Sequence, residues 1–172
     1  HFVERTCDGY RLAPAGRRVV ESVLSGAVTE HPDLSRTEVD QRCPYCGAPV
    51  AVQWEHGGVE QFCTECAGRY GRRYREGGTV ADPVEGYLGR HPLPPAGVRG
   101  RDADELLGAA WTWGNLEVLS LASGVCPRCA GTVEWETNVC ESHDADDGLC
   151  PTCEGRYAVG VTAACTNCIL LT

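Results

Sequence analysis

The chain of 172 residues contains no lysine, no methionine and no apolar run of membrane length. With no such run, nothing in it reads as a membrane span or signal segment. The lack of methionine leaves open a signal upstream of His1. Lacking lysine, the chain draws all 15 basic residues from arginine, against 24 acidic ones, for a formal net charge of −9. Metal-bound thiolates would carry this to roughly −14, since three divalent ions do not balance eleven sulfur charges. Bulk charge of this sign argues against a nucleic-acid binder. No glycine-rich phosphate loop, nucleophile–base arrangement or partnered carboxylate pair is present, so the expectation is that the chain is not an enzyme.

What the chain has in excess is cysteine. Eleven of the 12 cysteines fall in pairs with a two-residue gap, which is metal-ligand rather than disulfide-scaffold spacing. The expected location is therefore a reducing cytoplasm, with no membrane partner. Cys43/Cys46 and Cys63/Cys66 flank PVAVQWE and VEQF, and the order knuckle, strand, turn, strand, knuckle is that of a zinc ribbon. His56, at the turn between the strands, reads as a solvated turn residue.

Four further pairs follow: Cys126/Cys129, Cys140/His143, Cys150/Cys153 and Cys165/Cys168. They complete two tetrahedral sites only if His143 is a ligand. Three divisions are open. Consecutive pairing gives two small ribbons. A crossed division follows from the repeat of CAGRY (66–70) in CEGRY (153–157). The nested division is preferred, because TVEWETNV and RYAVGVTAA both alternate apolar residues without a break. Eight strand residues span about 26 Å, too far for one ion to hold both ends. Cys140, His143, Cys150 and Cys153 would then meet at the tip of a hairpin, with DADDGL as its loop, and the other four at its base. All three sites would be closed four-ligand sites for structural zinc, three ions per chain, with no position left for a catalytic water.

The remaining segments organise around these modules. Residues 29–40 read as a polar connector and 73–101 as an extended linker rich in Gly, Pro and Arg. Asp102 is a helix N-cap with Asp104 and Glu105 in the first turn. The helical segment 102–123 carries Leu106, Leu107, Trp111, Trp113, Leu116, Val118, Leu119 and Leu121, with a break or kink expected at Gly114-Asn115. This stripe offers core, a ligand pocket or a dimer contact. The run RYGRRYR (69–75) reads mainly as a solvated basic stretch, with nucleic-acid contact as the alternative. Cys7 has no nearby partner.

In residues 1–29, FVER and YRL flank the turn TCDG, and PAGRRVVESVLSGAV places Val19, Val20, Val23, Leu24 and Val28 at helical spacing. YRLAPAGRRVV with the hairpin before it resembles the wing and final helix of ArsR/MarR-like winged-helix transcription regulators. The Lys-free acidic composition resembles that of proteins from salt-loving archaea. The resemblance implies the C-terminal part of a haloarchaeal regulator, DNA bound through a winged helix whose recognition helix lies upstream of this chain, and a homodimer. The fold class expected is α+β: the end of a winged helix (1–29), a zinc ribbon (40–72), a linker (73–101), a helical segment (102–123) and a two-zinc hairpin module (124–172). The competing readings are a zinc-ribbon adaptor for protein or nucleic acid, and a redox or metal sensor acting through its thiolates.

Overall fold

The computed structural model describes residues 2–27, 29–55, 57–74, 80–146, 148–168 and 170. His56, Val28, Arg75 and Asp147, each part of a sequence expectation above, lie outside them. The chain is a mixed α+β protein of antiparallel strands and two α-helices.

Strands β1 (Val3–Thr6) and β2 (Gly9–Leu12) form a hairpin closed by Cys7-Asp8, with Thr6 opposite Gly9. Helix α1 (Pro14–Leu24) starts on a proline, which lacks the N–H that would go unbonded there anyway. Gly16 is buried against the hairpin, where a Cβ would sit 2.1 Å from the Phe2 carbonyl oxygen. Gly26, at φ +75°, follows the end of the helix, in the left-handed conformation that commonly closes one. Val19, Val20, Val23 and Leu24 stay exposed.

The centre of the chain is a four-stranded sheet in the order β3-β4-β5-β8. Its strands are β3 (Leu34–Arg42), β4 (Pro49–Glu55), β5 (Gly58–Cys63) and β8 (Tyr87–Pro92). Two short strands, β6 (Arg72–Tyr74) and β7 (Val80–Pro83), pair with each other.

This corrects two expectations. The polar connector 29–40 ends in an edge strand, because its backbone pairs with β4 from Leu34 to Arg42. Val39 is the one buried side chain of β3, so no alternation marked it as a strand. The linker 73–101 supplies β8, which pairs along the whole of β5. Its Gly89 adopts φ +146° beside a register shift at Gln61/Phe62, a bulge that glycine permits and that hides the strand from a pattern reading.

Helix α2 (Ala103–Ala122) lies across the sheet. Its capping box is complete, with the Asp102 carboxylate accepting from the Glu105 N–H and the Glu105 carboxylate accepting from the Asp102 N–H. Asp104 accepts from the Asp40 N–H at 2.7 Å and ties the edge strand to the helix start. The expected break at Gly114-Asn115 does not occur. Gly114 is buried, and the His91 ring occupies the space a side chain would need. The core beneath α2 joins Val50, Val52, Trp54, Val59, Leu106, Leu107 and Ala110, and the Trp54 indole donates to the Leu93 carbonyl at 3.0 Å. Ribbon, former linker and helix are thus one layered unit rather than three modules.

Strands β9 (Val133–Val139) and β10 (Val159–Cys165) form a separate hairpin, with Val139 opposite Val159 and Val133 opposite Cys165. Its base packs on Leu121, Val133, Ala163 and Leu170. Farther out, Trp135, Val139, Val159 and Val161 remain 52–61% exposed. No helix among the described residues is long and apolar enough to cross a membrane.

Candidate metal centres

Three groups of four side chains converge: Cys43, Cys46, Cys63 and Cys66; Cys126, Cys129, Cys165 and Cys168; and Cys140, His143, Cys150 and Cys153. Within each, the ligand atoms all lie within 4.8 Å of one another. All twelve residues singled out from the sequence are placed in these groups, and the four C-terminal pairs fall in the nested arrangement. Tip and base groups sit at opposite ends of β9 and β10, separated by seven-residue strands that span about 23 Å.

Tight backbone turns present the ligands. Cys43 N–H donates to the Ala48 carbonyl at 2.8 Å and Gly47 N–H to the Cys43 carbonyl at 2.9 Å. The same pattern recurs at Cys126 with Gly131 and Ala130, and at Cys150 with Gly155 and Glu154. In each turn the residue after the second cysteine is left-handed: Gly47 at φ +78°, Ala130 at +59° and Glu154 at +53°. The Cys63 turn differs, because its N–H donates to the Gly86 carbonyl on the approach to β8. So Cys150/Cys153 matches the first knuckle of the ribbon in geometry, not the Cys63/Cys66 knuckle that the shared C-x-G-R-Y letters indicate.

Sulfur separations test the fit. Cys43 and Cys66 Sγ atoms are 3.7 Å apart, Cys46 and Cys63 3.4 Å, Cys126 and Cys168 3.6 Å, Cys129 and Cys165 3.5 Å. Disulfide sulfurs would be about 2.05 Å apart, and every cysteine is a free thiol. Four sulfurs about 2.3 Å from a central zinc stand about 3.8 Å from one another, close to what is found. In the tip group His143 turns Nδ1 to the Cys153 Sγ at 3.4 Å.

The electrostatics point the same way. Burial opposes charge on Cys63, yet the Cys66 and Glu65 N–H groups bring its thiol down to about 7. Cys129 is lowered to about 6, first by the Asn167 side chain and then by the Gly131 N–H. The Asp144 and Cys153 N–H groups bring Cys150 to about 6. Burial pushes Cys66 up to about 12, with its three neighbouring thiols adding to the effect. Each group therefore favours one thiolate, and crowding opposes full ionisation of the ribbon set. A bound dication removes that conflict, since metal ligation requires deprotonated sulfur.

Sequence reading missed the contact between the two C-x-G-R-Y segments. Their repetition favours equivalent positions, as in the crossed division, and carries no sign that the two segments touch. Cys7 lies exposed in the β1–β2 turn, outside all three groups.

A family model described as "Domain of unknown function (DUF7351)" matches residues 40–170, a span that contains all twelve candidate ligands. No curated protein and no solved structure matches the chain. The match covers well over half of the sequence, and the chain belongs to this DUF7351 family.

Proposed function

We propose that zinc occupies the three groups as a structural ion, and that the chain is the zinc-stabilised C-terminal part of a winged-helix transcription regulator. The observation that carries the zinc reading is the completeness of the ligand sets, four converging atoms in each of three places. Four protein ligands saturate a tetrahedral ion and give it a folding role. Each such ion contributes on the order of 10 kcal/mol. This matters most for the β9–β10 hairpin, since a lone two-stranded ribbon is marginal in water.

The β1–β2 hairpin running straight into α1 supports the winged-helix reading. It lies before the family-matched span. Exposed apolar side chains on α2 (Leu116, Val118, Leu119) and on the hairpin (Trp135, Val139, Val159, Val161) support a role in association. We assign them to a homodimer contact, because large apolar side chains gathered in solvent commonly mark a site of association. The adaptor reading shares these surfaces and differs only in the partner. A cytoplasmic location accords with eleven thiols kept reduced for metal.

Elemental analysis of chain purified without chelator, combined with light scattering, tests this reading. Three zinc ions per chain and a dimeric mass are expected. A value near one with Cys126–Cys168 in disulfides refutes the zinc assignment, and a monomer at high concentration refutes the dimer. Duplex DNA should bind weakly and without sequence preference; selective binding at physiological salt would move recognition into the ribbons.

A further inference from the structure

The two C-x-G-R-Y segments meet each other. Cys66 to Tyr70 leaves the ribbon site, Cys153 to Tyr157 leaves the tip site, and Tyr70 bridges Gly155 in antiparallel fashion. Gly71 N–H donates to the Glu154 carbonyl at 2.7 Å, and Arg156 N–H to the Arg69 carbonyl at 3.0 Å. Arg156 Nε donates to the Gly68 carbonyl at 2.9 Å, and its guanidinium lies 4.3 Å from the ring centre of Tyr45, within the first knuckle. In return Arg69 lies 5.4 Å from the Tyr157 ring centre. Arg72 pairs with Glu154.

Every one of these partners is within a few residues of a ligand. Gly68 is two residues past Cys66, Glu154 directly follows Cys153, and Tyr45 directly precedes Cys46. Glu154 is left-handed and its N–H donates to Cys150, so the turn that shapes the tip site also aims the Glu154 carbonyl at Gly71. The base site has its own core with Leu121 and Leu170. It shares strands β9 and β10 with the tip site.

We propose that the ribbon site and the tip site bind metal cooperatively through this junction. The proposal rests on the zinc reading above. A metal that orders either knuckle orders half of the junction, so the second ion binds to a surface already in place. Such coupling is reciprocal: each ion raises the affinity of the other by the same factor, on the order of tenfold for contacts of this kind.

The test uses the full chain loaded with cadmium-113, in which each site has its own resonance, and a competing chelator to rank the affinities. Replacing Cys140 by Ser and His143 by Ala empties the tip. The ribbon site should then release cadmium at about one tenth of the chelator concentration. Arg156→Ala keeps all twelve ligands and three-ion capacity but should cut the link, so that emptying the tip in its background leaves the ribbon affinity unchanged. Arg156→Lys, which keeps charge without the planar stack, serves if the alanine variant does not fold. A wild-type chain with three ions whose ribbon affinity ignores the tip overturns cooperativity alone. A wild-type chain that takes fewer than three ions fails at the zinc reading and overturns the proposal with it.

Discussion

Gly86 and Cys63 are held backbone to backbone. The Cys63 N–H donates to the Gly86 carbonyl at 2.7 Å, and a Cβ on Gly86 would lie 2.2 Å from the Cys63 carbonyl oxygen. Gly86 also has φ +74°. A residue of the presumed linker thus clamps a metal ligand. Gly86→Ala meets both a steric and a conformational penalty, and the backbone atom it strikes cannot swing aside. The variant should lose about 2–4 kcal/mol of stability, read by chemical denaturation of the zinc-loaded protein. Unchanged stability would mean that the β5–β8 junction does not hold Cys63.

His143→Ala should release one zinc of three and leave the other two bound when zinc is supplied in excess. The base and ribbon groups keep all eight of their ligands. Elemental analysis after desalting gives the count. Loss of two ions at saturating zinc would show that the hairpin needs His143 to form at all.

His91 packs against Trp111 with ring centres 4.5 Å apart, above Gly114. Burial lowers its pKa, so the folded state disfavours the imidazolium. The unfolded chain then binds a proton more readily, and stability falls as the pH drops below the ordinary histidine value of about 6.5. The loss continues down to the folded pKa and then levels off. Acid also attacks the metal ligands, so the measurement is a difference: wild type minus His91→Gln, followed from pH 7.5 to 5.5. That difference should shift against the wild type as pH falls. A flat difference would show that His91 becomes charged without cost.

Leu119 is 65% exposed on α2. If this face joins two copies, Leu119→Asp should dissociate the dimer and Trp113→Ala should weaken it, both by light scattering. The zinc content and helical signal should remain as in the wild type. A dimer that survives both changes would place the contact elsewhere, with the exposed face of β9 and β10 the next surface to alter.

The metal ligands were legible in the sequence because a knuckle is a local object. Two cysteines with a two-residue gap can reach one ion whatever the rest of the chain does, and the hydrophobic alternation of β9 and β10 set which pairs lie at which end. The Asp102 cap, likewise, is written in four consecutive residues, Asp102 to Glu105. Strands β3 and β8 were not legible. Their side chains carry little alternation, and what makes them strands is the backbone of β4 and β5 offering unpaired N–H and C=O groups that must be satisfied. Gly114 was misread for a related reason. A glycine in a helix reads as weakness when taken alone, and only the arrival of His91 from a strand more than twenty residues away makes it a fitted contact. The C-x-G-R-Y repeat shows the limit most clearly. Letters record that two segments are alike, whereas their meeting at Tyr70 and Gly155 depends on where a sheet and a hairpin place them. Short-range geometry was decided by the sequence itself, and long-range pairing by the tertiary structure, because backbone hydrogen bonds between distant segments leave almost no trace in side-chain identity.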